Sequence, residues 1–209
     1  MCPIFKKKDP ADIANYRPIT VLNNNYKLFT KALTLKLTDV VSDLIHPDQA
    51  SFMKGQHIED HVILTKLMVD YTEEQLLNGC VVGLDQEKAY NKILHAYLWK
   101  VLWKGNIPDL FINTIASLYE KGETKVMINR FLSSPYKVTR GVHQGDPLSC
   151  LLFNLTIEPL VEMLHQLNLQ GFQIPGAAEH LLVFLFADDT TVFLSEGGNF
   201  QTLQDILNQ

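Results

Sequence analysis

The sequence predicts an α+β fold, several amphipathic helices with a few short strands, and three observations carry that expectation. Two apolar, β-prone runs, 181–185 and 190–194, flank the link Phe186-Ala187-Asp188-Asp189. So short an acidic link between such runs reads as a tight hairpin with both strands largely buried. A third apolar run, 80–84, ends in Asp85. Elsewhere apolar residues recur at helical spacing over long stretches.

With 209 residues the chain makes one large domain or two small lobes, with ample material for a core. Its 46% apolar and 20% charged residues set it among ordinary globular proteins and exclude a disordered segment. No apolar run approaches the length of a membrane span and no signal peptide opens the chain, so no membrane partner is expected. Cys2, Cys80 and Cys150 are widely spaced with no metal-type pairing, which indicates a reduced, intracellular setting. The net charge of −5 counts against strong autonomous binding to phosphates, yet leaves room for a small basic groove around an acidic centre.

In chain order, residues 3–5 read as the end of a strand and Lys6-Lys7-Lys8 as a basic loop. Asn15-Tyr16-Arg17-Pro18-Ile19 is extended, since Pro18 biases Arg17 away from helix. A helix is expected over 23–44, with Phe29, Leu33, Leu37, Val40 and Leu44 as its stripe and an Asn-rich start suited to capping. His46-Pro47-Asp48 breaks it, and a second helix follows over 57–75. There His57, Glu59 and His61 suggest a metal pattern, but zinc-protease spacing needs Glu directly after the first His and the residue is Ile58, so surface histidines are expected. A helix over 87–104 buries Tyr90, Leu94, Tyr97 or Leu98, and Val101, and stops at Gly105. Another spans 107–120, with Phe111, Ile115 and Leu118 facing inward. Residues 124–131 and 136–139 look like a β-pair joined through Ser133-Ser134-Pro135. The turn 140–147 is punctuated by Gly141 and Gly145. In it Asp146 suits an N-cap and Pro147 the first position of a helix over 147–167. A last helix is expected over 199–209.

Asp85 ends one strand and Asp188-Asp189 sit at a hairpin tip, so strands that are sheet neighbours would bring three carboxylates together. A solvated Asp turn is the bland alternative. Two such charges 4 Å apart repel by about 4 kcal/mol at an effective dielectric of 20, a large share of the roughly 5–15 kcal/mol that stabilises a domain. The cluster therefore calls for protonation or cations. Carboxylate oxygens select hard ions such as Mg²⁺, and a pair of them makes a two-metal phosphoryl-transfer site.

Four stretches together resemble the reverse transcriptases of non-LTR (LINE-type) retrotransposons. They are Asn15-Tyr16-Arg17-Pro18-Ile19 with Tyr26-Lys27; Ile45-His46-Pro47-Asp48-Gln49; Leu84-Asp85-Gln86-Glu87-Lys88-Ala89-Tyr90; and Arg140-Gly141-Val142-His143-Gln144-Gly145-Asp146-Pro147-Leu148-Ser149 with Phe186-Ala187-Asp188-Asp189. The resemblance covers essentially the whole chain. It implies a right-hand polymerase: part of the fingers from 1–79, then over 80–209 a palm, with a small antiparallel sheet backed by helices and with intervening fingers elements, the thumb lying outside the chain. It implies RNA-directed DNA synthesis with two Mg²⁺ ions (Mn²⁺ as a substitute), an RNA template, a DNA primer, deoxynucleoside triphosphates and a nuclear place of action. Asp85 and Asp188 would hold the metals and Asp189 would support them. Main-chain groups from Gln86 onward would meet the triphosphate and Tyr90 the sugar. Gln144 and Gly145 would line the nucleotide and template side, with Arg17 near the triphosphate. Taken without the motif, Tyr90 is a core aromatic, Arg17 a surface residue and Gln144 a turn residue.

Two positions depart from the family. Gln56 follows Gly55 where Arg is usual, and Gln cannot make a charged bidentate contact. Asn91 stands where Asp usually follows the aromatic. Both leave open a decayed, inactive element copy. A carboxylate hydrolase is the third alternative, and it leaves the Arg17 and Gln144-Gly145 motifs unexplained.

Overall fold

The structure, a computed structural model, describes residues 1–120, 122–167, 169–195 and 200–208. The strands β1 (Cys2–Phe5) and β2 (Tyr16–Ile19) precede the helices α1 (Asn24–Val41) and α2 (Ile58–Glu74). Then come β3 (Gly79–Asp85), α3 (Ala89–Lys92), α4 (His95–Lys104) and α5 (Asp109–Glu120). Four two-residue strands follow: β4 (Glu123–Thr124), β5 (Met127–Ile128), β6 (Phe131–Leu132) and β7 (Tyr136–Lys137). The chain continues through α6 (Ser149–Gln166), β8 (Phe172–Gln173), β9 (His180–Leu181), β10 (Val183–Phe186), β11 (Asp189–Ser195) and α7 (Phe200–Leu207). Residues 199 and 209, the predicted ends of the last helix, lie outside the described residues.

The chain divides into two units. One comprises Met1–Val41 and Lys88–Thr156, the other Ser42–Glu87 and Ile157–Gln209.

In the first unit β1 and β2 pair antiparallel, with Phe5 opposite Tyr16 and their rings 5.4 Å apart. The side chain of Asn23 accepts from the Asn25 N–H and caps α1, as the Asn-rich start suggested. The buried stripe of α1 differs from the expected one. It is Thr30, Leu33, Thr34, Leu37 and Val41, while Phe29 and Val40 are exposed. The Thr30 and Thr34 hydroxyls donate to carbonyls one turn back and so are buried without loss.

The expected single helix over 87–104 is broken. Lys88 has φ +55°, and Ile93 leaves the helical region with ψ +118°, its carbonyl accepting from the Gly141 N–H. Leu94 bridges Arg140 and is exposed. A neighbouring loop thus takes the backbone groups that a continuous helix would have used.

The β-pair over 124–139 is two nested hairpins. β4 pairs with β7, while β5 pairs with β6 around Asn129-Arg130, both at positive φ. That is a type I′ turn with Asn in its favoured place, in the middle of what read as one strand.

In the second unit β10, β11 and β3 form an antiparallel sheet in that order. Alternation splits its side chains. Val183, Leu185, Val192 and Leu194 pack with Val161 and Leu164 of α6 and Leu203 and Ile206 of α7. Phe184 and Phe193 pack with Met68 of α2 and Phe172 on the opposite face. Burial on both faces explains the near-continuous apolar runs of β10 and β11, while β3 at the edge is exposed or half-buried throughout.

Candidate active site

Antiparallel register sets Asp85 directly opposite Asp189 on the neighbouring strand. Directly opposed residues share a face, so these two carboxylates lie on one side of the sheet's end, both exposed. Phe186 pairs with Asp189, leaving Ala187-Asp188 as a two-residue turn. Asp188 is half-buried there, next in the chain to Asp189. Ala187 has φ +56° and Asp188 does not share a positive φ, so the strained position is the first of the two turn residues, one that glycine usually fills. A left-handed alanine costs about 1–2 kcal/mol, so its surroundings must hold it.

They do so through the loop 46–51, which the sequence marks as a helix break and, over 45–49, as one of the resembling stretches, with no role given to Gln49 or Ser51. The Leu185 N–H donates to the Asp48 carbonyl at 2.8 Å, and the Ala50 N–H to the Leu185 carbonyl at 3.0 Å, making a short parallel pairing beside β10. The Ala187 N–H, at the strained position, donates to Gln49 Oε1 at 3.1 Å and to Ser51 Oγ at 2.8 Å. Ser51 in turn donates to Gln49 Oε1 from its N–H at 3.1 Å and its hydroxyl at 2.9 Å.

The loop is tied to α6 from its other side. Glu158 Oε1 accepts from the His46 N–H at 3.1 Å. Asp48 Oδ2 lies 2.8 Å from His165 Nε2 and 3.2 Å from His46 Nδ1, and the two imidazoles stack at 4.3 Å. Burial raises the Glu158 carboxyl above its usual range, against the pull of the His46 N–H. His46, Asp48 and His165 bring ligand atoms within 4.8 Å of one another. Two imidazoles and a carboxylate would suit zinc; as they stand the rings stack near-parallel and the Asp48 N–H donates to His46 Nδ1 at 3.3 Å, which ties the loop to α6 without an ion. His61, expected on the surface, stacks flat on Phe184 at 3.9 Å, and burial lowers its pKa; His57 is exposed as expected.

The other predicted residues, apart from Gln86, belong to the first unit. Gln86 follows Asp85 and is half-buried. Arg17 is exposed on β2, paired with Ile4. Tyr90 is half-buried, with its ring stacked on Phe153 at 4.6 Å and its carbonyl accepting from the Val142 N–H at 2.8 Å. The Gln144 carbonyl accepts from the Thr20 N–H at 2.9 Å, tying the glycine loop to the end of β2. Gly145 has φ +106°, and a Cβ there would stand 3.1 Å from the Thr20 carbonyl oxygen.

Beneath this loop lies a polar cluster that sequence reasoning did not assemble. His143 stacks on Tyr119 at 4.9 Å and meets Tyr26 edge-on at 6.3 Å. Asp146, 3% exposed, caps the approach to α6 by accepting from the Leu148 N–H at 3.2 Å. Burial and then the Asp146 charge raise the pKa of both tyrosines. Burial lowers that of His143, against the opposing effect of Asp146.

Comparison with known proteins bears on this arrangement. The sequence profile of the family described as "Reverse transcriptase (RNA-dependent DNA polymerase)" matches residues 5–209, and the chain belongs to that family. It is 32% identical over 200 residues to a Xenopus laevis protein described as "Transposon TX1 uncharacterized 149 kDa protein", covering 96% of this chain and 15% of that one. It is 27% identical to the Pol polyprotein of the Drosophila melanogaster retrotransposable element R2DM, covering 95% of this chain and 18% of that protein. The chain thus spans less than a fifth of these relatives' length, and they are proteins of the kind the sequence motifs resembled.

Solved telomerases share the fold. A Candida tropicalis telomerase truncated from its C-terminal domain gives a TM-score of 0.59 at 14% identity, over 93% of this chain and 43% of that one. The same organism's telomerase with a TWJ fragment of telomeric RNA gives 0.60 at 16%, over 88% and 31%. The expected α+β right-hand polymerase class holds. Among the described residues no helix is long and apolar enough to cross a membrane.

Proposed function

We propose that this chain carries the carboxylate and nucleotide-handling residues of an RNA-directed DNA polymerase. A primer 3′-hydroxyl attacks the α-phosphate of a deoxynucleoside triphosphate opposite an RNA template; an O–P bond forms and pyrophosphate leaves. The observation that carries this is the register that sets Asp85 opposite Asp189, with Asp188 in the adjoining turn. Carboxylate oxygens are the donors Mg²⁺ takes, although among the described residues the three aspartates do not bring their oxygens within 4.8 Å of one another as His46, Asp48 and His165 do. When bound, such ions stabilise charge on the attacking and leaving oxygens. Asp85 and Asp188 are the main ligands and Asp189 their support. The backbone at Gln86 and the Arg17 guanidinium bind the triphosphate, and Tyr90 packs over the sugar. Gln144 and Gly145 line the nucleotide and template side, where glycine permits close backbone approach. Fingers (1–79) and palm with intervening fingers elements (80–209) belong to the same assignment, as does action in the nucleus.

The test is Mg²⁺-dependent primer extension on RNA by a complete polymerase containing this chain. Asp188→Asn is expected to lower the rate by at least about 10²-fold with the fold intact by circular dichroism. Extension at the wild-type rate by that variant would refute the assignment. A folded but inert wild type would mark the chain as a decayed copy.

A further inference from the structure

We infer that Gln49 and Ser51 are positioning residues for Asp188, acting through the backbone of Ala187. The inference rests on the assignment of Asp188 as a metal carboxylate.

Two acceptors from a distant loop converge on one N–H donor, and that donor belongs to the residue just before Asp188. The ladder of a two-residue hairpin gives the first turn residue's N–H no partner, so another group must supply one. Gln49 is 0% exposed, Ser51 1% and Ala187 8%, so water does not compete for the contact. Two of the three donors to Gln49 Oε1 are backbone N–H groups, which fixes the orientation of the amide. Its Nε2 is then left buried without a hydrogen bond. A purely structural position under an apolar sheet end would be better filled by an apolar residue than by a side chain with one satisfied end. The satisfied end bonds the Ala187 N–H, and the conformation it holds is the left-handed one that aims the next side chain. The pairing of 48–50 with Leu185 and the tie from Asp48 to His165 keep the loop itself still. Held this way, the Asp188 carboxylate is pre-ordered for an ion, and a ligand displaced by about 1 Å is worth on the order of 10²-fold in rate.

The experiment titrates Mn²⁺ alone into the 209-residue chain, followed by electron paramagnetic resonance, with circular dichroism to establish folding. Gln49→Leu keeps the bulk and removes the acceptor. Ser51→Ala removes the hydroxyl, and Ser51→Thr restores it. Mn²⁺ affinity is expected to fall about tenfold in Gln49→Leu and about threefold in Ser51→Ala, the scale of one lost hydrogen bond, and to return in Ser51→Thr. Asp188→Asn should abolish the Asp188-dependent binding. If Asp188→Asn weakens binding while Gln49→Leu and Ser51→Ala match the wild type, the positioning role is overturned and the metal assignment stands. If Asp188→Asn binds like the wild type, the metal assignment fails and the positioning role fails with it. Should Gln49→Leu not fold, the Ser51→Ala and Ser51→Thr pair decides alone.

Discussion

The acidic turn and the glycine loop solve one problem in opposite ways. Each must hold backbone in the left-handed region beside residues assigned to chemistry. The loop 140–147 does it with Gly141 at φ +87° and Gly145 at φ +106°, both pressed against other backbone. The turn at 187–188 does it with an alanine, restrained by Gln49 and Ser51. Glycine makes the conformation local and visible in the sequence. Alanine makes it depend on a loop more than a hundred residues away.

The largest effect that tests this contrast is at Gly141. A Cβ there would meet Asn91 Cα at 2.9 Å and the Asn91 and Tyr90 carbonyl oxygens at 3.0 Å, all backbone. Gly141→Ala should cost about 2–4 kcal/mol, read as a shift in urea midpoint. A cost under about 0.5 kcal/mol would mean that the loop is freer than its contacts imply.

Tyr90, whose carbonyl holds the same loop through Val142, comes next. In a complete polymerase, Tyr90→Ala should raise ribonucleotide over deoxynucleotide incorporation by about tenfold, measured as a ratio of kcat/KM values. If both rates fall together at constant ratio, the stack on Phe153 is the residue's whole role.

His143 gives a smaller, pH-dependent effect. Its pKa is lowered in the folded chain by burial and by His95, with Asp146 opposing. The unfolded chain therefore takes up the proton first. The stability His143 contributes is full above its unfolded value of about 6.5 and is lost as pH falls below it toward the folded value. His143→Gln should flatten the fall in thermal midpoint between pH 7 and pH 5. His61, lowered in the same direction, leaves a residual slope. An unchanged slope in the variant would place the proton uptake elsewhere.

The smallest effect is expected at Ala187. Ala187→Gly relieves the left-handed strain but frees the unfolded chain, so its stability should stay within about 1 kcal/mol of the parent. A loss as large as that of Gly141→Ala would erase the distinction between the two regions.

What could be read from residues alone follows the same division. The hairpin, the strand ending in Asp85 and the capped start of α1 were legible because each is a local pattern: an apolar run, an acidic link, an Asn-rich cap. The Gln49–Ser51 clamp was not, since a buried Gln in a loop looks like any turn residue until its partner at Ala187 is known. Threonines hid the inward face of α1, because their hydroxyls are satisfied only once the helix exists. The break at Ile93 was invisible for a related reason, as the competing donor is the N–H of Gly141, far along the chain. At Asn129-Arg130 a signal was available, since Asn favours positive φ, but the apolar residues on either side concealed it.

The three-stranded sheet has one guarded side and one open side. The segment 48–50 lies along the outer edge of β10. The outer edge of β3 pairs with no strand among the described residues, and it carries exposed Val81 and Cys80. Unpaired ladders of this kind invite strand addition from another copy. Concentrating the chain therefore risks edge-to-edge association, and the strand through which it would spread is the one that ends in Asp85. The exposed edge and the carboxylate proposed to hold a metal thus lie on the same seven residues of β3, so a charge placed there to keep the protein in solution has to spare Asp85.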